Sequence, residues 1–176
     1  YMSCLNSSLL GIPLDCGNIG GLKNVWIIAT DDVTAVALGT GASESALMTV
    51  TSVDLASSKA RAKYSFRKGN ASFTATGTKD DKAGTFYVTT EASLTFNRQS
   101  LDNVTEIMKL SKGTFYAILE DNNGVKHFVG YDSYVAGGAT ANSGAEMAEA
   151  NNYVVTLTSM TDTFPKIYTG PDPVTV

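Results

Sequence analysis

Histidine occurs once in the chain, at His127, so any imidazole chemistry would have to run through that residue. It sits in an alternating stretch and faces the same way as Val125 and Val129, which reads as a packed strand side chain rather than a general base. A triad through His127 would need Cys16 and a carboxylate to meet it in space, because triads assemble from distant positions. The cysteines, Cys4 and Cys16, are too few for a disulfide framework and stand at no zinc-ligand spacing. Oxygen ligands for calcium are conceivable at Asp31-Asp32, at Asp80-Asp81 and in the turn Asp121–Gly124. None follows the twelve-residue EF-hand pattern, and turn formation accounts for all three.

Glycine-rich segments offer no better chemistry. Gly39-Thr40-Gly41 follows a strand-like run, but Glu44 stands where the third glycine of a dinucleotide fingerprint belongs. The run Gly17-Asn18-Ile19-Gly20-Gly21-Leu22-Lys23 lacks the Gly-Lys-Ser/Thr ending of a phosphate loop and reads as a turn feeding a strand at Val25. Lys112-Gly113-Thr114-Phe115-Tyr116 places a basic residue and glycine before aromatics, as RNA readers do, but it begins at a helix end in an acidic protein. Sequons at Asn6, Asn70 and Asn103 are unsurprising in a chain so rich in Asn and Thr. The expectation is a non-enzymatic protein, with no catalytic, cofactor-binding or metal-binding residue assigned.

Composition narrows the class. The chain has 176 residues, enough for one domain with a real core and no staples. Apolar residues make up 43% and charged residues 17%, which excludes a disordered tail and a coiled coil. The formal charge of −4 argues against a nucleic-acid backbone as the main ligand. Val25–Ala29, the densest apolar run, is too short to span a bilayer. Tyr1–Leu10 carries no basic region followed by an apolar core, so no signal peptide is read there and a reducing cytoplasm is expected.

Period-2 alternation is the dominant pattern, over Ala60–Arg67 and most clearly over Phe86–Phe96. In the second run Phe86, Val88, Thr90, Ala92, Leu94 and Phe96 share one face, and Tyr87, Thr89, Glu91, Ser93 and Thr95 the other. Such a strand exceeds the usual ~5–6 residues, so it is expected to project beyond the core or to span a subunit boundary. Further strands are expected at Val25–Thr30, Val33–Leu38, Ala46–Val53, Ala71–Thr78, Thr114–Glu120, Val125–Tyr131 and Tyr153–Ser159. Asn123-Gly124 suggests a type I′ hairpin. One helix is expected over residues 100–112, capped by Ser100, lined by Leu101, Val104, Ile107 and Met108, and ended by Gly113 in the C′ role. A shorter helix is expected from Ser143, whose spacing to Glu146 fits a capping box.

These elements predict a mainly β fold, an antiparallel β-barrel or two-sheet sandwich with one flanking helix, in a single domain over residues 1–176. Residues 1–24 read as an N-terminal arm and 131–152 as an extended loop. That loop carries Gly137, Gly138, Gly144 and Met147 with few charges, and is expected to order against a partner. With Tyr87 and Thr89 on the long strand, these six residues are the expected subunit-interface positions.

The element order from the long strand through the helix and the strand pair to Tyr153–Ser159 and Asp162–Tyr168 resembles phage tail tube proteins and their relatives. The stretch from Asp15 to Lys23, leading into Val25–Asp32, is similar to phage structural proteins of this kind. The resemblance implies a β-barrel subunit that forms stacked rings through which DNA passes without specific binding. It also implies a homo-oligomer that meets other tail proteins, touches no membrane, and resides in a virion tail assembled in the bacterial cytoplasm. Another tail ring, terminator or adaptor protein, or a secreted adhesin or fimbrial β module, fits the residues as an alternative.

Cys4 and Cys16 are expected to be free. Both should react with a thiol reagent in the unfolded protein without prior reduction; a bridge in freshly isolated protein would contradict the cytoplasmic reading.

Overall fold

The computed structural model describes residues 18–41, 43–57, 59, 61–146 and 149–172, so Cys4, Cys16 and Asn6 lie outside the described residues. The chain is mainly β, as its alternation implies. Its strands are β1 (Leu22–Ala29), β2 (Val33–Leu38), β3 (Thr49–Leu55), β4 (Ala62–Ser65), β5 (Ala71–Asp80), β6 (Thr85–Asn97), β7 (Thr114–Asp121), β8 (Lys126–Val129), β9 (Val135–Asn142), β10 (Asn152–Thr161) and β11 (Lys166–Tyr168). Among the described residues two α-helices interrupt them, α1 (Glu44–Leu47) and α2 (Leu101–Lys112), besides a 3-10 turn over Thr30–Asp32.

The apolar run of β1 explains the centre of the fold. Val25, Trp26, Ile27 and Ile28 are all buried, so both faces of this strand meet protein. Its partner β7 is antiparallel and equally apolar, with Ile27 opposite Ala117 and Trp26 opposite Ile118. Val25, Ile27, Phe115, Ala117 and Leu119 enter one core, together with Ala92, Leu94, Val155 and Leu157. Trp26, Ile28 and Ile118 enter a second core with Val50, Val53, Phe128 and Tyr168. The β1–β7 ladder is therefore a wall between two cores.

From that wall the sheet branches. One edge of β7 holds β1, which in turn pairs β4. Thr114 and Phe115 also pair β9, and residues 117–120 pair β8. One branch continues as β8-β11-β3-β2, with β11 and β3 parallel, and the other as β9-β10-β6-β5. The sheet is mixed and is not closed into a barrel, because β7 divides its pairing among three strands and the branches fold over opposite faces of the wall.

α2 flanks the first core where a helix was expected. Ser100 Oγ accepts from the Asn103 backbone N–H at 3.3 Å, and Asp102 and Lys109/Lys112 sit at the favourable ends of the dipole. Its core face is Val104, Ile107 and Leu110, whereas Leu101 and Met108 are exposed. Gly113 ends the helix in an extended conformation, not the left-handed one; a side chain there would collide with the ring of Phe115.

Other departures have local causes. Ser43 caps a short helix by accepting from the Ala46 N–H, so Ala46–Met48 precedes β3 instead of starting it. Only Gly124 has positive φ in the Asn123-Gly124 turn, while Asp121 Oδ1 accepts from the N–H groups of Asn123 and Val125, each at 2.9 Å. The β7–β8 connection is thus a longer, carboxylate-braced loop rather than a two-residue type I′ turn. The segment 131–152 contains β9, paired with β10 from Ala136 to Asn142, so the loop proper is its distal part. Ser143–Glu146 is not helical. At the other end of the chain, strand structure begins at Leu22, inside the expected arm.

Gly137 is where α2 comes closest to the sheet: a Cβ would run into the Leu110 carbonyl oxygen and lie 3.6 Å from Leu157 Cδ2. At Gly138 a Cβ would find only the Thr156 oxygen, at 4.0 Å. Gly137→Ala should therefore cost about 1–3 kcal/mol through overpacking, and Gly138→Ala less than about 0.5 kcal/mol, measured by urea unfolding. Equal effects would show that α2 does not press on β9.

Candidate assembly interface

The branch β5-β6-β10-β9 is antiparallel throughout and has two unlike faces. Ala92, Leu94, Val155 and Leu157 point into the first core. On the opposite face the register sets Ser72, Ser93, Thr156 and Gly138 in one row across the four strands. The next row is Thr74, Glu91, Thr158 and Ala136, and the one beyond it Thr76, Thr89 and Met160. Thr78 and Tyr87 follow toward the β5–β6 turn. This face carries no lysine or arginine, and its only charges are the carboxylates of Glu91 and Asp80. Cross-strand threonine pairs suit a pleated surface that stays wet, because the methyl packs while the hydroxyl remains solvated.

Among the described residues neither lateral edge of this sheet has a full partner strand, although the C-terminal end of α2 lies against β9. Among the described residues β5 pairs only β6, and β9 meets β7 only through Val135 and Ala136. An unpaired edge is a template for another strand unless charge, proline or a cover blunts it. Neither β5 nor β9 contains proline, and in β9 no residue is charged.

Two hairpins extend the sheet at opposite ends. Residues 76–87, the far half of β5–β6, are exposed without exception. Phe86 and Phe164 lie over Gly77, each about 3.1–3.2 Å from where its Cβ would be, and both remain about half exposed. The expectation that the long strand projects beyond the core therefore holds. At the other end the β9–β10 connection leaves the sheet beside Asn97, with Gln99 Nε2 donating to the Asn142 carbonyl at 3.1 Å.

The six expected interface positions fall in three places. Tyr87 and Thr89 share the threonine face, Tyr87 exposed and Thr89 half-buried, and Gly138 lies across the sheet on the same face. Gly137 faces the core, and the close approach its size permits is made by α2 of the same chain. Gly144 turns the exposed β9–β10 connection with φ +68°, where a Cβ would also crowd Glu149. Met147 lies outside the described residues. The edges of β5 and β9 were not visible in sequence, since an edge is defined by which strands fail to arrive.

Of the groups with catalytic or metal potential, His127, Asp32, Asp80 and Asp121 are engaged in structure. His127 packs its ring on Phe73 with centroids 4.8 Å apart, and its Nε2 lies 3.6 Å from Asp121 Oδ2. Asp32 pairs with Lys59 at 2.9 Å, and Asp80 Oδ1 accepts from the N–H groups of Lys82 and Ala83 in its own turn. Burial pushes the Asp132 carboxyl up, helped by Asp162 and opposed by Lys166. Among the described residues no three His, Cys, Asp or Glu side chains gather as metal ligands.

A cavity of about 440 Å³ opens where the β4–β5 turn, the end of β6 and the start of α2 meet. Phe66 and Phe96 form its apolar side, edge to face at 5.2 Å, and amides and hydroxyls form the rest. Arg98 follows β6 with φ +71°, the one left-handed non-glycine among the described residues, and Asn103 Nδ2 braces its carbonyl at 2.8 Å.

No protein-family model, curated protein or solved structure matches this chain. Among the described residues no helix is long and apolar enough to cross a membrane.

Proposed function

We propose that this protein is a structural subunit whose copies join side by side into rings, and that stacked rings form the tail tube of a tailed bacteriophage. The observation that supports the reading is the pair of edges on the β5-β6-β10-β9 sheet that, among the described residues, lack a full partner strand. With four antiparallel strands, β5 and β9 run in opposite directions. Setting β9 of one copy beside β5 of the next therefore continues the antiparallel alternation, and repeating a contact between unlike surfaces closes a ring when the rotation allows. Each junction would satisfy a row of backbone groups that otherwise face water and invite misassociation.

Closure also decides which face lines the channel. The core face already carries the β1–β7 wall and α2, so that bulk lies outside the ring and the threonine face turns inward. The lumen would then be hydroxyl-rich, with Glu91 and Asp80 as its charges. Such a surface repels phosphate weakly and offers no cation to hold it, which suits passage of DNA without binding. Other tail proteins at the two ends of the stack, and residence in the virion, follow from the same reading.

The edge contact has a specific test. Thr95 N–H donates to the Asn70 carbonyl, so by alternation the N–H of Ala75 points away from β6. Ala75→Pro removes that outward donor and spares the internal ladder. Concentrated protein should show rings or tubes under negative stain, and A75P should stay dispersed with its cooperative unfolding kept. A parent protein that sediments as a monomer at high concentration across a range of salt would sink the proposal.

A further inference from the structure

The β5–β6 turn and the 440 Å³ cavity lie at opposite ends of the same strand. β6 has 13 residues, which at the rise of an extended strand separates the two by about 40 Å. The cavity takes Phe66, Arg67 and Asn70 from the β4–β5 turn, Phe96 and Asn97 from β6, and Asn103 from α2. Arg67 is the one charged residue lining it, no carboxylate lines it, and Arg67 makes no ion pair among the described residues. An acidic protein thus keeps an unpaired guanidinium in a concave site whose other polar groups are amides and hydroxyls.

The turn at the far end is a matching shape. Asp80 accepts from two of the turn's own N–H groups and Gly84 takes φ +64°, so the tip is tightly closed. Asp81 is left at the apex with its side chain 82% exposed, bridged at 2.7 Å to a Lys79 that is itself 71% exposed. A bridge that open contributes little and is readily exchanged. A carboxylate offered to the exposed Arg67 at the rim of the cavity gains a charge-assisted, potentially bidentate contact.

We infer that the tip of the β5–β6 arm, residues 80–85, seats in the cavity of a second copy placed head to tail along the strand axis, with Asp81 on Arg67. The inference rests on the tube reading, for which it supplies the contact between rings. Asn70, Asn97 and the free oxygen of Asn103 then meet the backbone of the incoming turn, whose polar groups need partners once water leaves. Tip and cavity are different surfaces facing opposite ways, so the contact does not close on itself and propagates as a stack. It uses neither lateral edge, and lateral and axial contacts do not compete.

Disulfide trapping tests this directly. In full-length protein with Cys4 and Cys16 replaced by serine, Ala83→Cys combined with Asn97→Cys, which leaves Asp81 and Arg67 in place, should give, on mild oxidation, a ladder of covalent trimers and larger species. Either cysteine alone should give no ladder, because the contact joins unlike positions. Far-UV circular dichroism confirms that the variants are folded. Arg67→Glu and Asp81→Lys should each abolish stacking while leaving single rings, and the two together should restore it. A folded double-cysteine variant without a ladder overturns the docking, whatever particles are seen. A ladder without closed rings keeps the docking and overturns the ring, so the two readings fail separately.

Discussion

Everything in this fold is referred to the antiparallel ladder between β1 and β7, a strand pair that must be dry on both faces. A strand with Val25, Trp26, Ile27 and Ile28 in succession has no polar side to give to water, so it is stable only where protein covers it twice. The strength of that demand shows at Trp26, whose Nε1 is buried without a hydrogen-bond partner among the described residues. An unmade bond of that kind costs about 1–3 kcal/mol. Burying an indole of 150–250 Å² returns about 4–6 kcal/mol at 25 cal/mol per Å², so burial wins.

Covering the wall twice forces the remaining strands to divide, and the division leaves one branch with a face turned away from the first core. The β8-β11-β3-β2 branch belongs to the second core. The β9-β10-β6-β5 branch covers the first core with one face only, and α2 fills the space beside the β9–β10 end of it. Among the described residues the branch is therefore left with a second face and two edges that no further strand covers. A threonine-rich composition is the solution for such a face, because valines there would make a sticky patch and lysines would raise the charge.

Much of this was legible, and the misses share a cause. β2 lies at Val33–Leu38 as expected, and the long strand at Thr85–Asn97, close to where alternation placed it, because its side chains alternate in polarity as well as position. β9 was read as loop because Val-Ala-Gly-Gly-Ala-Thr-Ala-Asn offers no contrast between faces; its strand form is imposed by pairing with β10 and by α2 lying on Gly137. β11 inverts the usual pattern. Lys166 and Tyr168 are buried while Ile167 is exposed, since Lys166 Nζ donates to the Leu47 carbonyl at 2.9 Å and sits 4.9 Å above the Tyr131 ring. At the interface, the polarity of the Tyr87 face was readable from one strand, but its extent over four strands is a product of register.

The projecting arm poses a question of stability that the body does not answer. A two-stranded ribbon with both faces wet is marginal by itself, since its ladder exchanges water bonds for backbone bonds at little net gain. From Thr76 to Tyr87 the described residues offer it one apolar brace, the Phe86–Phe164 contact across Gly77, and a turn closed by Asp80. Those features fix the direction of the arm and its terminal turn more firmly than they fix its length. An arm preorganised in this way loses less entropy on docking than a loose loop would, which favours contact with a partner. Directional preorganisation combined with weak intrinsic stability is what reversible assembly requires: the contact must be specific when made and must not form indiscriminately before the partner is in register.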